Sequence, residues 1–237
     1  FAYIFWNLDE NRQSFWNGPQ GYGYDSVYAG LGSQGQIWRY LRYSTEAVYQ
    51  GGRSYGQGVL SGRDPINALG FDALLTYLVP NRFQPEFDLE YMFASGDGDR
   101  RGSPSDPIGG NRSGTDQSFN GFGFRNTGLA LAPRLSNIHI WRAGASVLPF
   151  SNRGFLRRLR AGTDWFVYAK NKATGAISDF TADEPSSFLG WEMDYYINWQ
   201  ITQELAATTR YGVFYPGDAF SDDGARGFFL FGITYSF

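Results

Sequence analysis

Five bases and seven carboxylates recur between bulky apolar neighbours: Arg42, Arg142, Arg160, Lys170 and Arg210, with Glu46, Asp72, Asp88, Glu90, Asp164, Glu192 and Asp194. Each falls on the polar side of a two-residue period. Guanidinium groups bind carboxylates through paired hydrogen bonds, so a passage lined by these arginines could handle an anionic solute. The same charges could equally pair across neighbouring strands and hold a wall together. Acids outnumber bases in the set, and both readings stay open. Acid–base chemistry has its residue types in Glu192/Asp194 and Asp88/Glu90, two apart on one face, but nothing flanking them suggests a substrate cleft. The one histidine, His139, shares the apolar parity of Trp141, Ala143 and Val147, which suits a belt residue better than a general base. No phosphate-binding glycine loop, zinc spacing or nucleophile elbow occurs. An enzyme is not expected, nor a cofactor or metal. Asp97-Gly-Asp99 and Asp222-Asp223-Gly224 resemble fragments of calcium loops but lack the full ligand pattern, and read as solvated turns. Asn111-Arg-Ser113 matches a glycosylation triplet too common to weigh.

The segments that must position these charges read as strands. Leu189–Ile201 is the clearest, setting Leu189, Trp191, Met193, Tyr195, Ile197, Trp199 and Ile201 against Gly190, Glu192, Asp194, Tyr196, Asn198 and Gln200. Further strands are expected at Phe1–Leu8, Asp25–Ser33, Ile37–Gln50, Leu69–Val79, Glu86–Ala94, Asn137–Leu148, Arg158–Lys170, Leu205–Tyr215 and Gly227–Phe237. Gly32-Ser-Gln-Gly35 reads as a tight turn, and Asp9–Tyr24 and Gly51–Ile66 as long loops. The longest loop, Ser95–Ser136, could fold inward or over a mouth. Connections alternate long and short along the chain, the two-ended asymmetry of an outer-membrane barrel.

Composition agrees. Aromatics make up 19% of 237 residues while mean hydropathy is −0.37. That pairing fits an apolar outer belt around a wet interior better than a soluble core. Cysteine is absent, and a net charge of −3 without a basic block argues against nucleic acid. The expected fold is all-β: one transmembrane antiparallel β-barrel domain over residues 1–237, with about ten strands in this chain. Facing the charges to lipid would cost ~2–4 kcal/mol for each basic residue near the midplane, which fixes them in the lumen. The chain opens on a strand already under way, so its ten strands either close a small barrel with Phe1–Leu8 paired to the last strand or are the last ten of a larger one, and Phe237 would serve as the terminal assembly signal.

Three segments carry a family resemblance: Ser136-Asn-Ile-His-Ile-Trp-Arg-Ala-Gly144, Leu189-Gly-Trp-Glu-Met-Asp-Tyr-Tyr-Ile-Asn-Trp199 and Arg210-Tyr-Gly-Val-Phe-Tyr-Pro-Gly-Asp-Ala-Phe220. They resemble the alginate-export outer-membrane family, most clearly over the second half of the chain. The resemblance implies an eighteen-stranded monomeric barrel, of which these strands would be the carboxy-terminal part, with a loop-constricted lumen whose arginines conduct an anionic polysaccharide outward. Arg142 and Arg210 lie in the resembling segments and are the leading pore residues. Arg160, Arg42, Lys170, Asp164, Glu192 and Asp194 join them by lumen parity. The acid excess departs from a strongly electropositive pore. The expected function is passive passage of a polar oligo- or polysaccharide, anionic or neutral, through the bacterial outer membrane. Expected partners are membrane lipid and lipopolysaccharide, a polysaccharide or small polar solute, and the barrel-assembly machinery. The alternative is a non-conducting structural or adhesive barrel that binds partners through its long loops.

Overall fold

A computed structural model describes residues 1–8, 12–15, 18–21, 23–56 and 63–236. It contains twelve strands and, among the described residues, no helix. They are β1 (Ala2–Asn7), β2 (Arg12–Phe15), β3 (Gly18–Gly21), β4 (Asp25–Trp38), β5 (Leu41–Ser54), β6 (Asp64–Leu78), β7 (Glu86–Ala94), β8 (Ile138–Val147), β9 (Leu159–Lys170), β10 (Phe188–Gln200), β11 (Leu205–Pro216) and β12 (Arg226–Tyr235). Ten form one antiparallel sheet in the order β1-β4-β5-β6-β7-β8-β9-β10-β11-β12, and β2 and β3 form a separate small hairpin. Connections 39–40, 79–85, 148–158 and 201–204 gather at one end of the sheet, and 95–137, 171–187 and 217–225 at the other, where β5 also ends and β6 begins. Phe237, expected as an assembly signal, lies outside the described residues.

The period-two pattern becomes two unlike faces. Leu31, Leu69, Leu89 and Trp165 project outward and are more than half exposed, as a lipid-facing band requires. His139 belongs to this outer face, stacked on Trp141 at 5.7 Å between ring centroids, with its Nδ1 2.8 Å from the Tyr91 hydroxyl. The inner face carries every one of the twelve charges introduced above. Cross-strand register makes this concrete: Glu46 lies opposite Asp72, Glu90 opposite Arg142, and Asp164 opposite Asp194.

Two expectations about local structure fail. Gly32-Ser-Gln-Gly35 is not a turn, since β4 runs through it to Trp38 and reverses at 39–40. The glycines are there for close approach. A Cβ on Gly30 would lie 2.2 Å from the Tyr3 ring, and one on Gly32 2.2 Å from the Phe1 ring, so Tyr3 of β1 and Phe1 just before it lie over β4. The Asp9–Tyr24 segment, read as an open loop, holds the β2–β3 hairpin. Gly51–Ile66 is also shorter as a loop than expected, because β5 extends to Ser54 and β6 begins at Asp64.

Candidate functional site

Residues 118–135 of the long β7–β8 connection lie against the inner face and touch strands far apart in the sheet. Phe122 packs on Tyr3 and Phe5 of β1 and on Tyr28 of β4, with ring centroids 6.2, 5.7 and 4.7 Å away. Asn120 donates its N–H to Gln50 Oε1 at 2.8 Å and accepts from the Tyr28 hydroxyl at 2.9 Å. Arg125 reaches Asp72 at 2.9 Å and also pairs with Glu46, which accepts from the Tyr3 hydroxyl at 2.6 Å. Seven residues beyond Phe122, Leu129 meets β10. A flat sheet would put about 34 Å between β1 and β10, whereas seven extended residues span at most ~25 Å. The sheet therefore curls around this segment.

On the far wall the segment is held by one carboxylate. Glu192 of β10 is fully buried and accepts the backbone N–H groups of Leu129 (2.5 Å), Ala130 (2.7 Å) and Leu131 (2.8 Å). The Tyr168 hydroxyl donates to the Thr127 carbonyl at 2.9 Å and lies 3.3 Å from Glu192 Oε2. The backbone can turn its amides inward here because Gly128 takes φ +101°, and a Cβ there would sit 2.3 Å from the Tyr168 oxygen. Gly128→Ala is therefore expected to unseat residues 127–131 and produce a noisier current than wild type in single-channel records; a variant trace as quiet as that of wild type would contradict this anchoring.

The remaining inner charges divide into paired and unpaired. Arg142 sits inside three carboxylates, Glu90 at 2.6 Å, Asp164 at 3.0 Å and Asp88 at 3.6 Å. Arg160 donates to the Ser146 hydroxyl at 2.7 Å and lies 3.8 Å from Glu86. Lys170 is buried and donates to the carbonyls of Ala182 and Glu184. Asp194 is buried beside Gly212 and the loop backbone. The structure thus places Lys170, Glu192 and Asp194 under loop segments as anchors rather than at an open surface, because each is covered by the connections that fold over its strand. Arg42 and Arg210 meet no carboxylate among the described residues.

Arg210 borders a cavity of about 410 Å³ between β11 and the inward segment, together with Arg125 and Arg134. No carboxylate lines it among the described residues. At the short-turn end, Arg157, Arg158 and Arg160 line a second cavity of about 430 Å³, again without an acid. A third, of about 450 Å³, opens at the long-loop end and includes Tyr24, Tyr55, Arg100 and Arg134. Burial raises the pKa of the Tyr24 and Tyr55 hydroxyls, with Asp116 adding to it, so both stay neutral. Period-two reading missed Arg125 and Arg134, which lie in a loop without periodicity. A signal for Arg125 existed in Glu46 and Asp72, adjacent inner acids with no strand-borne base beside them.

The loop acids are accounted for locally. Asp97 accepts the Asp99 N–H at 2.8 Å, and Asp222 the Gly224 N–H at 2.9 Å, both as side-chain-closed turns. Asn111 is buried and donates to Asp64 at 3.0 Å.

An antiparallel sheet that is apolar outside and charged inside, with its connections sorted to two ends and a loop folded into its hollow, is a wall of an outer-membrane β-barrel. The chain belongs to the alginate export family, whose model matches residues 6–227. Membership points to an outer-membrane transport channel rather than an enzyme. No curated protein matches the sequence. Among solved structures it is similar to one described as the NanC porin in a rhombohedral crystal form, with 10% identity, a TM-score of 0.40 and coverage of 90% of this chain and 94% of that one.

Proposed function

We propose that the chain forms a channel for passive passage of an anionic oligo- or polysaccharide across the bacterial outer membrane, its apolar band in contact with lipid and lipopolysaccharide. The observation that carries this reading is the cavity bordered by Arg134 and Arg210, which meet no carboxylate among the described residues, with Arg125 beside them already paired to Glu46 and Asp72. Arginine is suited to a sliding polyanion because its fork can hand one carboxylate to the next without changing protonation. The arginine cavity at the short-turn end places a second basic surface at the other end of the same face. The overall acid excess does not oppose this, because Glu46, Asp72, Asp88, Glu90 and Asp164 are engaged by Arg125 and Arg142.

Planar-bilayer recordings test the proposal. The channel should prefer anions, and Arg210→Ala should reduce that preference about two- to fivefold while leaving stability within ~0.5 kcal/mol, as for a substitution outside any paired network. Firm cation preference, or anion preference unchanged in both Arg210→Ala and Arg42→Ala, would remove the role assigned to the unpaired arginines.

A further inference from the structure

The cavity at the long-loop end has a construction of its own. Tyr24 and Tyr55 line it with ring centroids 6.5 Å apart and planes inclined at 63°. Their hydroxyls are already committed: Tyr24 accepts from Gln50 Nε2 at 2.7 Å, and Tyr55 donates to the Ile108 carbonyl at 2.5 Å. With the hydroxyls engaged and the rings in edge contact, both side chains line the cavity in a fixed arrangement. Arg100 also lines it, but its charge is taken by Asp116 at 3.2 Å and its Nε by the Gly109 carbonyl. Arg134 is exposed, and its guanidinium meets no carboxylate among the described residues. Among the described residues it is the one that borders both this cavity and the inner arginine cavity.

We propose that this mouth cavity is a saccharide-binding station, distinct from the inner arginine cavity, in which Tyr24 and Tyr55 stack on pyranose rings and Arg134 binds a uronate carboxylate. The inference rests on the anionic-saccharide reading above for its ligand class. Sugar rings present apolar C–H faces that pack on aromatic faces, and they need polar groups around the rim. Asn120 and Ser136 supply such a rim here. The volume lies within the range of small-ligand sites. Arg134, shared by both cavities, would pass a carboxylate from the inner station to the outer one, while the rings hold the chain as it leaves or enters.

Equilibrium binding of hexagalacturonate to the folded protein in detergent micelles tests the station independently of conduction. Wild type should bind, and bind maltohexaose more weakly. Tyr55→Leu and Tyr24→Leu should each weaken hexagalacturonate about five- to tenfold, Arg134→Gln should weaken it similarly, and Tyr55→Phe should retain most of the affinity. Unchanged heat-modified gel mobility would confirm that the variants are folded. Absence of hexagalacturonate binding by wild type, equal affinity for maltohexaose, or wild-type affinity in folded Tyr55→Leu and Arg134→Gln would overturn the proposal. Binding that depends on these residues in a channel lacking anion preference would support the station and sink the passage reading instead.

Discussion

Replacing Glu192 with alanine is expected to raise single-channel conductance several-fold and to make the open level flicker. The carboxylate accepts three consecutive backbone N–H groups, and a charged acceptor makes each of these bonds stronger than an ordinary amide pair. Its removal withdraws roughly 4–5 kcal/mol of anchoring from residues 129–131, taking each bond to a charged acceptor at about 1.5 kcal/mol. A shift of that size is enough to turn a seated segment into one that is mostly released. Release should stop short of the whole loop. Phe119 still packs over Gly70, Phe122 over Tyr28, and Arg125 still pairs with Asp72 and Glu46. The opening should therefore widen on the β9–β11 side of the hollow, where Arg210 stands. Glu192→Gln should fall between the two, because the amide keeps one acceptor and turns an N–H₂ toward the Leu131 N–H or its neighbours. Conductance equal to wild type in Glu192→Ala, with the protein folded, would mean that residues 118–135 do not limit the passage.

The same comparison shows what a sequence can and cannot disclose here. Facing was legible, since a two-residue period carries the outward Trp191, Tyr195 and Ile197 and the inward Glu192 and Asp194 without any tertiary information. Pairing was not. Arg142 and Arg210 have the same parity and sit in segments that resemble the family equally well, yet one lies among three acids and the other meets none among the described residues. That difference is set by which strand stands beside each: β7 brings Glu90 opposite Arg142, whereas β10 and β12 bring Tyr196 and Leu230 opposite Arg210. The inward path of residues 118–135 was open in the sequence as one of two possibilities, because its anchors are mostly backbone amides and single contacts with no period. Gly32-Ser-Gln-Gly35 misled for a related reason. Its composition is that of a turn, but the demand for glycine comes from neighbouring rings, Phe1 over Gly32 and Tyr43 of β5 beside Gly35.

Arg142 and Arg210 should accordingly separate stability from selectivity. Arg142→Ala removes the one cation that, among the described residues, is held within Asp88, Glu90 and Asp164, and leaves three carboxylates facing one another in a largely buried cluster. Breaking a buried charge network in this way costs about 3–5 kcal/mol, much of it from the partners left uncompensated. The barrel should lose its heat-resistant gel mobility at a markedly lower temperature and unfold at lower urea concentration. Arg210→Ala disturbs no ion pair among the described residues and should unfold like wild type while losing anion preference. The cause of the Arg142 effect can be checked by adding back what the substitution exposes: Glu90→Gln in the Arg142→Ala background should recover part of the stability, because one of the facing charges is gone. A ranking in which Arg142→Ala is mild and Arg210→Ala severe in unfolding, or a double variant less stable than Arg142→Ala alone, would reverse the division drawn here between residues that brace the wall and residues left free to meet a solute.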